Sequence, residues 1–180
     1  MSSRKGGRYE REIAKQLSLW LTNDDSNSEL IRSVSSGGWK FRKNRQVGDL
    51  APNGPKGDEF RSLFGIECKN REDFSWKHYW TSEDPQLFKW WRQVAEECED
   101  AELIPMLIYR KNYVPDLIGL EEDYWVPLLC EKNIATVSDR ILRIKVDDYR
   151  VFFMKFDEFL ETFSPEIVMG VARKCLNQPM

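Results

Sequence analysis

The stretch FGIECKN, residues 64–70, constrains this chain more than any other. It has the length and composition of a strand, yet it carries a carboxylate and an ammonium two positions apart. Successive strand side chains point to opposite faces, so Glu67 and Lys69 project from one face while Phe64, Ile66 and Cys68 project from the other. A sheet containing this strand buries one side and leaves charged chemistry on the other.

The flanking segments predict the rest of the fold. Tyr9, Ile13, Ala14, Leu17, Trp20 and Leu21 recur at helical spacing, which predicts a first helix over Tyr9 to Leu21. LIRSV and QVGDL read as short strands, and APNGPKGD, with its Pro, Asn and Gly residues, as a turn. The second long strand is SLFGIEC. DPQLFKWWRQVAEECEDA has helical periodicity, with Asp84 as cap and Pro85 at the first turn, and LIPMLIYRK is an apolar run of strand length. A helix between two such strands predicts a crossover connection, hence an α/β fold with a mixed sheet. LEEDYWVPLLCEKN has mixed character. RILRIKV and RVFFMKF are further strands, DEFLETF a short helix, and a last helix runs from about Pro165 to Leu176.

With 180 residues, 41% of them hydrophobic, the chain is long enough for one globular unit with a real core. No apolar run approaches the roughly 20 residues that span a bilayer, so no membrane segment is expected. The amino terminus MSSRKGGRYERE has no apolar stretch behind its basic residues and does not read as a secretory signal. A cytoplasmic location, in a prokaryotic or virus-infected cell, is expected. Cys68, Cys98, Cys130 and Cys175 form no CxxC pair and His78 is the single histidine, which argues against a Cys/His zinc site and for reduced thiols. No GxxxxGK[ST] phosphate loop is present.

Net charge is −3, but it is unevenly spread. Residues 1–47 hold ten Lys or Arg against five Asp or Glu, so the other 133 residues carry −8. Such asymmetry suits one face that meets phosphate. A solvated basic terminus is the plain alternative.

Asp49 ends the strand QVGDL beside a glycine, 18 residues before Glu67. If the two strands are neighbours, two carboxylates and an ammonium converge. Paired carboxylates suit Mg²⁺, a hard ion that binds through one or two carboxylates plus substrate phosphate. Lys69 would orient or deprotonate a water and offset phosphate charge, and the reaction implied is hydrolysis of a phosphodiester. Counting about 100° per residue from Ile13, Glu10 falls at roughly 60°, in the middle of the apolar stripe of the first helix, whereas Glu12 falls at roughly 260°, toward water. A buried Glu10 requires a partner such as a metal-bound water or Lys69. Each piece has a structural reading: Glu10 suits a helix dipole, Glu67 and Lys69 an ordinary same-face pair, and VGDL a plain turn. Their joint occurrence in one order favours a site.

That order resembles the PD-(D/E)xK nuclease superfamily, with GD of QVGDL standing for the PD element and ECK of GIECKN for the ExK element. RKGGRYEREIAKQL, IRSVSSGG, GDLAPNG and GIECKN further resemble, in sequence order, segments of archaeal-type Holliday-junction resolvases, over about residues 4–110. The resemblance implies a restriction-endonuclease-like core, a mixed central β-sheet flanked by helices. One nuclease domain would span 1–180, its core about 4–111 and a carboxyl-terminal extension about 112–180 packed on it. Asp49, Glu67 and the Cys68 backbone carbonyl would hold Mg²⁺, with Mn²⁺ able to substitute; Glu10 would complete the site through water, and Lys69 would be the catalytic lysine. The implied partners are branched DNA and a second copy of the chain in a homodimer.

Lys40, Arg42, Lys43 and Arg45, in a basic loop, are candidates for phosphate contacts, with Arg4, Lys5, Arg8 and Arg32 beside them; Ser33 and Ser35 match a segment near the scissile phosphate. Trp76, Trp80, Trp90 and Trp91 either stack on unpaired bases, form a dimer surface, or belong to the core. Two alternatives keep the fold: a general, restriction- or repair-type nuclease acting on linear DNA, and a non-catalytic DNA-binding protein. The complete Glu10, Asp49, Glu67 and Lys69 set speaks against the latter.

Overall fold

A computed structural model describes residues 2–26, 28–33, 47–71, 85–111, 114–132 and 141–177, with the side chains of residues 2–5 excepted. The first helix, α1 (Ser2–Thr22), starts earlier than its apolar stripe and runs through Gly6 and Gly7 despite their low helix propensity. Tyr9, Ile13, Ala14, Leu17 and Leu21 are buried as their spacing requires. Two short antiparallel strands follow, β1 (Leu30–Arg32) and β2 (Leu50–Pro52).

APNGPKGD is not only a turn. Residues Pro55–Arg61 form a helix, α2. Pro55 starts it, where a missing N–H costs nothing, and Gly57 donates its N–H to Glu29 Oε2 at 2.9 Å. A Cβ on Gly57 would lie 1.8 Å from the Glu29 carbonyl oxygen, so the glycine serves close approach to the Glu29 backbone. Strand β3 (Phe64–Asn70) begins two residues later than SLFGIEC suggests, because Ser62 and Leu63 close α2.

Helix α3 (Gln86–Glu99) then crosses to β4 (Ile104–Arg110), which pairs parallel with β3. The expected cap, Asp84, lies outside the described residues; Pro85 occupies the cap position. Strand β5 (Leu117–Glu121) leads directly into α4 (Glu122–Glu131), which explains the mixed character of LEEDYWVPLLCEKN. Strands β6 (Leu142–Val146) and β7 (Tyr149–Lys155) form a hairpin, and helices α5 (Phe156–Thr162) and α6 (Pro165–Leu176) end the described chain.

The five-stranded sheet has the order β3-β4-β5-β7-β6, parallel only between β3 and β4. Strand alternation divides the apolar residues between two cores. Ile66, Met106, Ile108, Ile118, Phe152 and Met154 pack with α1, α2, α4, α5 and α6, while Leu107, Tyr109, Val151 and Phe153 pack with α3 on the other face. Trp90 and Trp91 belong to this second core, with Trp91 fully buried; Trp76 and Trp80 lie outside the described residues. Gly65 lets α3 approach, since a Cβ there would meet Cys98 Sγ at 2.1 Å. Among the described residues no helix is long and apolar enough to cross a membrane.

Candidate active site

The site forms on the edge of β3 that faces away from β4. Gly48 bridges in parallel to Ile66, and the Asp49 N–H donates to the Ile66 carbonyl at 2.7 Å. Gly48 has φ +77°, and a Cβ there would lie 2.1 Å from the Ile66 carbonyl oxygen, so only glycine fits this turn. The chain then delivers Asp49 beside β3, where its Oδ2 accepts the Cys68 N–H at 2.9 Å. The Ser33 N–H donates to the Asp49 carbonyl at 2.7 Å, joining the end of β1 to the same strip. A strand residue points its own N–H and C=O to one side, so the Cys68 carbonyl faces the edge that Asp49 occupies.

Arg61 braces this strip from below. It is buried, and its guanidinium donates to the carbonyls of Val47 and Phe64, tying the residue before Gly48 to the start of β3. Burial lowers its pKa to about 10.

Glu67 and Lys69 face away from the α1 side, as alternation requires. Lys69 Nζ donates to Glu67 Oε1 and, at 3.1 Å, to Gln93 Oε1, while Gln93 Nε2 lies 3.3 Å from Glu67 Oε1. A closed triangle of carboxylate, ammonium and amide results. Glu10 is buried in the α1 stripe as expected, but its carboxylate accepts from Arg32 Nε. Gly7 makes room for that guanidinium, since a Cβ there would meet Arg32 Cζ at 3.2 Å.

Asp49, Glu67 and Lys69 are thus brought together, with Arg32 and the fully buried Ser33 alongside, and Glu10 reaches the pair through its charge. Arg8 is exposed on α1. Ser35, Lys40, Arg42, Lys43 and Arg45 lie outside the described residues, as do the side chains of Arg4 and Lys5. Glu12 does not simply face water: it takes two hydrogen bonds from Arg110, at 2.9 and 2.7 Å, because α1 lies beside the end of β4.

Burial, then the charge of Glu67, raises the Asp49 carboxyl to about 7, against the opposing Cys68 N–H. Burial likewise raises Glu67, although Lys69 pulls it down, and the charges of Glu97 and Glu10 add to the rise. Two carboxylates therefore hinder each other's ionisation, a conflict that a cation between them relieves. Among the described residues no three His, Cys, Asp or Glu side chains stand close enough together to hold a metal ion. Two carboxylates and a carbonyl fit the needs of Mg²⁺ nonetheless, since that ion keeps several waters and takes further oxygens from substrate phosphate.

A family model described as "Phage putative PDDEXK endonuclease" matches residues 1–170 of the 180-residue chain. The chain belongs to this PDDEXK family. The match extends well past the 4–110 span of the motif likeness and includes β5, β6 and β7, so the family pattern covers the whole five-stranded sheet. No curated protein and no solved structure matches the chain.

For a PDDEXK endonuclease the residue that motif reading overlooks is Gln93. It lies one position before Val94 and two after Trp91, at the border of the buried stripe of α3 and one turn ahead of Glu97. A polar i, i+4 pair bordering the apolar face of the crossover helix is the signal that could have found it. Gln93→Ala is expected to lower kcat about 10- to 100-fold with the Kd for DNA nearly unchanged, the range seen when a group that orients a metal-site residue is removed. Single-turnover cleavage beside a binding titration checks this; an equal loss in both would show that Gln93 does not act by positioning Lys69.

Proposed function

We propose that the chain is a metal-dependent DNA endonuclease in which Asp49, Glu67 and the Cys68 carbonyl hold Mg²⁺, or Mn²⁺ in its place. The observation that carries this reading is the meeting of two mutually opposed buried carboxylates and the Lys69 ammonium on one sheet edge. The ion would supply Lewis-acid stabilisation of the charge that develops on the phosphate. Lys69, held by Glu67 and Gln93, orients the attacking water and offsets charge on a non-bridging oxygen. Water adds to phosphorus as one P–O ester bond breaks, and the proton lost by the water balances the one taken up by the departing ester oxygen. Glu10 holds Arg32 next to the site, where the guanidinium meets phosphate.

The substrate we assign is branched DNA, supported by the likeness of GGRYEREIAKQL, IRSVSSGG and GIECKN to junction resolvases. A homodimer would set two such centres about a two-fold axis to nick opposing strands. The test compares a synthetic four-way junction with linear duplex of the same sequence, with and without Mg²⁺. Ion-dependent cleavage is expected, at least about tenfold faster on the junction, a difference of roughly 1.4 kcal/mol in transition-state stabilisation. Equal rates would assign the linear substrate, and no cleavage of either DNA with Mg²⁺ or Mn²⁺ would end the enzymatic reading.

A further inference from the structure

Next to the site lies a groove that the cleavage chemistry does not use. It has a volume of about 510 Å³ and runs between α1 and β1, from Arg32 to Asp25, Ser26 and Ser28. Arg32 is the link, because its Nε bonds Glu10 and its side chain also lines the groove. On the α1 wall Arg11 and Lys15 stand one turn apart and exposed, above Ala14 and Ser18, which are buried.

Cations outnumber carboxylates along this groove. Arg11, Lys15 and Arg32 line it against one lining carboxylate, Asp25; Arg32 is paired with Glu10, whereas neither Arg11 nor Lys15 has an ion-pair partner among the described residues. In a chain of net charge −3, unmatched cations beside a phosphodiester-cleaving site call for an anion. Ile31, a large exposed apolar residue, offers the same groove a surface on which a sugar can rest. From Arg11 to Ser18 the helix rises about 10 Å, roughly three nucleotide steps of one strand.

We infer that this groove carries the backbone of the DNA strand where it runs on past the cleavage point, with Arg11 and Lys15 each neutralising a phosphate. The inference rests on the nuclease reading of the neighbouring site and extends it to a flank of the substrate. Cleavage therefore depends on the length of DNA on one side of the scissile bond. Both side chains point into solvent, so replacing them leaves the fold intact.

The test measures DNA affinity against salt concentration for the full chain carrying Asp49→Asn, with and without Arg11→Ala and Lys15→Ala. Loss of the two contacts is expected to weaken binding about tenfold or more at 0.1 M salt and to flatten the log–log salt slope by about 1.8 for duplex. Arg11→Lys with Lys15→Arg keeps the charge and is expected to restore both. Trimming one flank of the DNA, and not the other, is expected to make the chains with and without the alanines bind alike. An unchanged affinity and slope, or a loss indifferent to which flank is trimmed, would overturn the groove assignment. Undiminished cleavage by Asp49→Asn would instead defeat the nuclease reading of the site, so the two failures are distinguishable.

Discussion

Asp49→Asn and Glu67→Gln are each expected to lower cleavage by about 10³-fold or more, equivalent to roughly 4 kcal/mol of lost transition-state stabilisation, while DNA affinity changes by less than about threefold. The size of the effect follows from position. Asp49 lies against β3 with one oxygen committed to the Cys68 N–H, and Glu67 is buried with its carboxylate shared by Lys69 and Gln93. Neither amide variant changes side-chain volume, and Asn can still accept the Cys68 N–H, so the scaffold survives and the negative charge alone is lost. Cleavage by either variant at more than a tenth of the parent rate would remove that residue from the catalytic set. A matching loss of DNA binding would give it a role in substrate recognition instead.

The second large effect is on stability. Divalent ion at about 100 times its Kd is expected to stabilise the chain by about 2.7 kcal/mol, a rise in Tm of roughly 5–10 °C for a protein of this size. The sign of the pH dependence comes from Asp49. Its carboxyl is raised to about 7 in the folded chain by burial and then by Glu67, whereas the unfolded chain loses that proton near pH 4. The folded state thus holds the extra proton, and this contribution to stability, complete below about pH 4, is lost as pH rises through about 7. Without divalent ion, Asp49→Asn is therefore expected to melt above the parent at pH 8, with the gap closing toward pH 4. With ion, the order reverses at pH 8, because only the parent retains both carboxylates. Thermal melts at the two pH values, with EDTA or Mg²⁺, check this; a parent that melts alike with and without ion would show that the two carboxylates do not bind it.

Several parts of this architecture are legible in the sequence because one local rule decides them. The stripe from Tyr9 to Leu21 places Glu10 inside α1, and the two-residue period of FGIECKN separates Ile66 and Cys68 from Glu67 and Lys69. Other parts depend on contacts between distant segments. Pro55 and Gly57 read as turn formers, yet they build α2 because Gly57 fits against Glu29, 28 residues away. Glu12 reads as solvated until Arg110 arrives beside it from β4. Gln93 reads as an ordinary polar helix residue until the parallel β3–β4 connection lays α3 over the charged face of β3. At the site itself, residue types and order are visible beforehand, whereas the Asp49 contact with the Cys68 N–H and the diversion of Glu10 to Arg32 are products of tertiary packing.

The strip formed by Gly48 and Asp49 also closes the outer rim of the five-stranded sheet. An uncovered terminal strand as apolar as β3 is a template onto which a foreign strand can add. Asp49 occupies the Ile66 carbonyl through its N–H and the Cys68 amide through its carboxylate, so the residue proposed to serve hydrolysis also denies that rim to neighbours. The covering of the rim and the proposed reactivity thus meet at one position of the chain, and because asparagine there keeps both contacts with β3, Asp49→Asn separates the two.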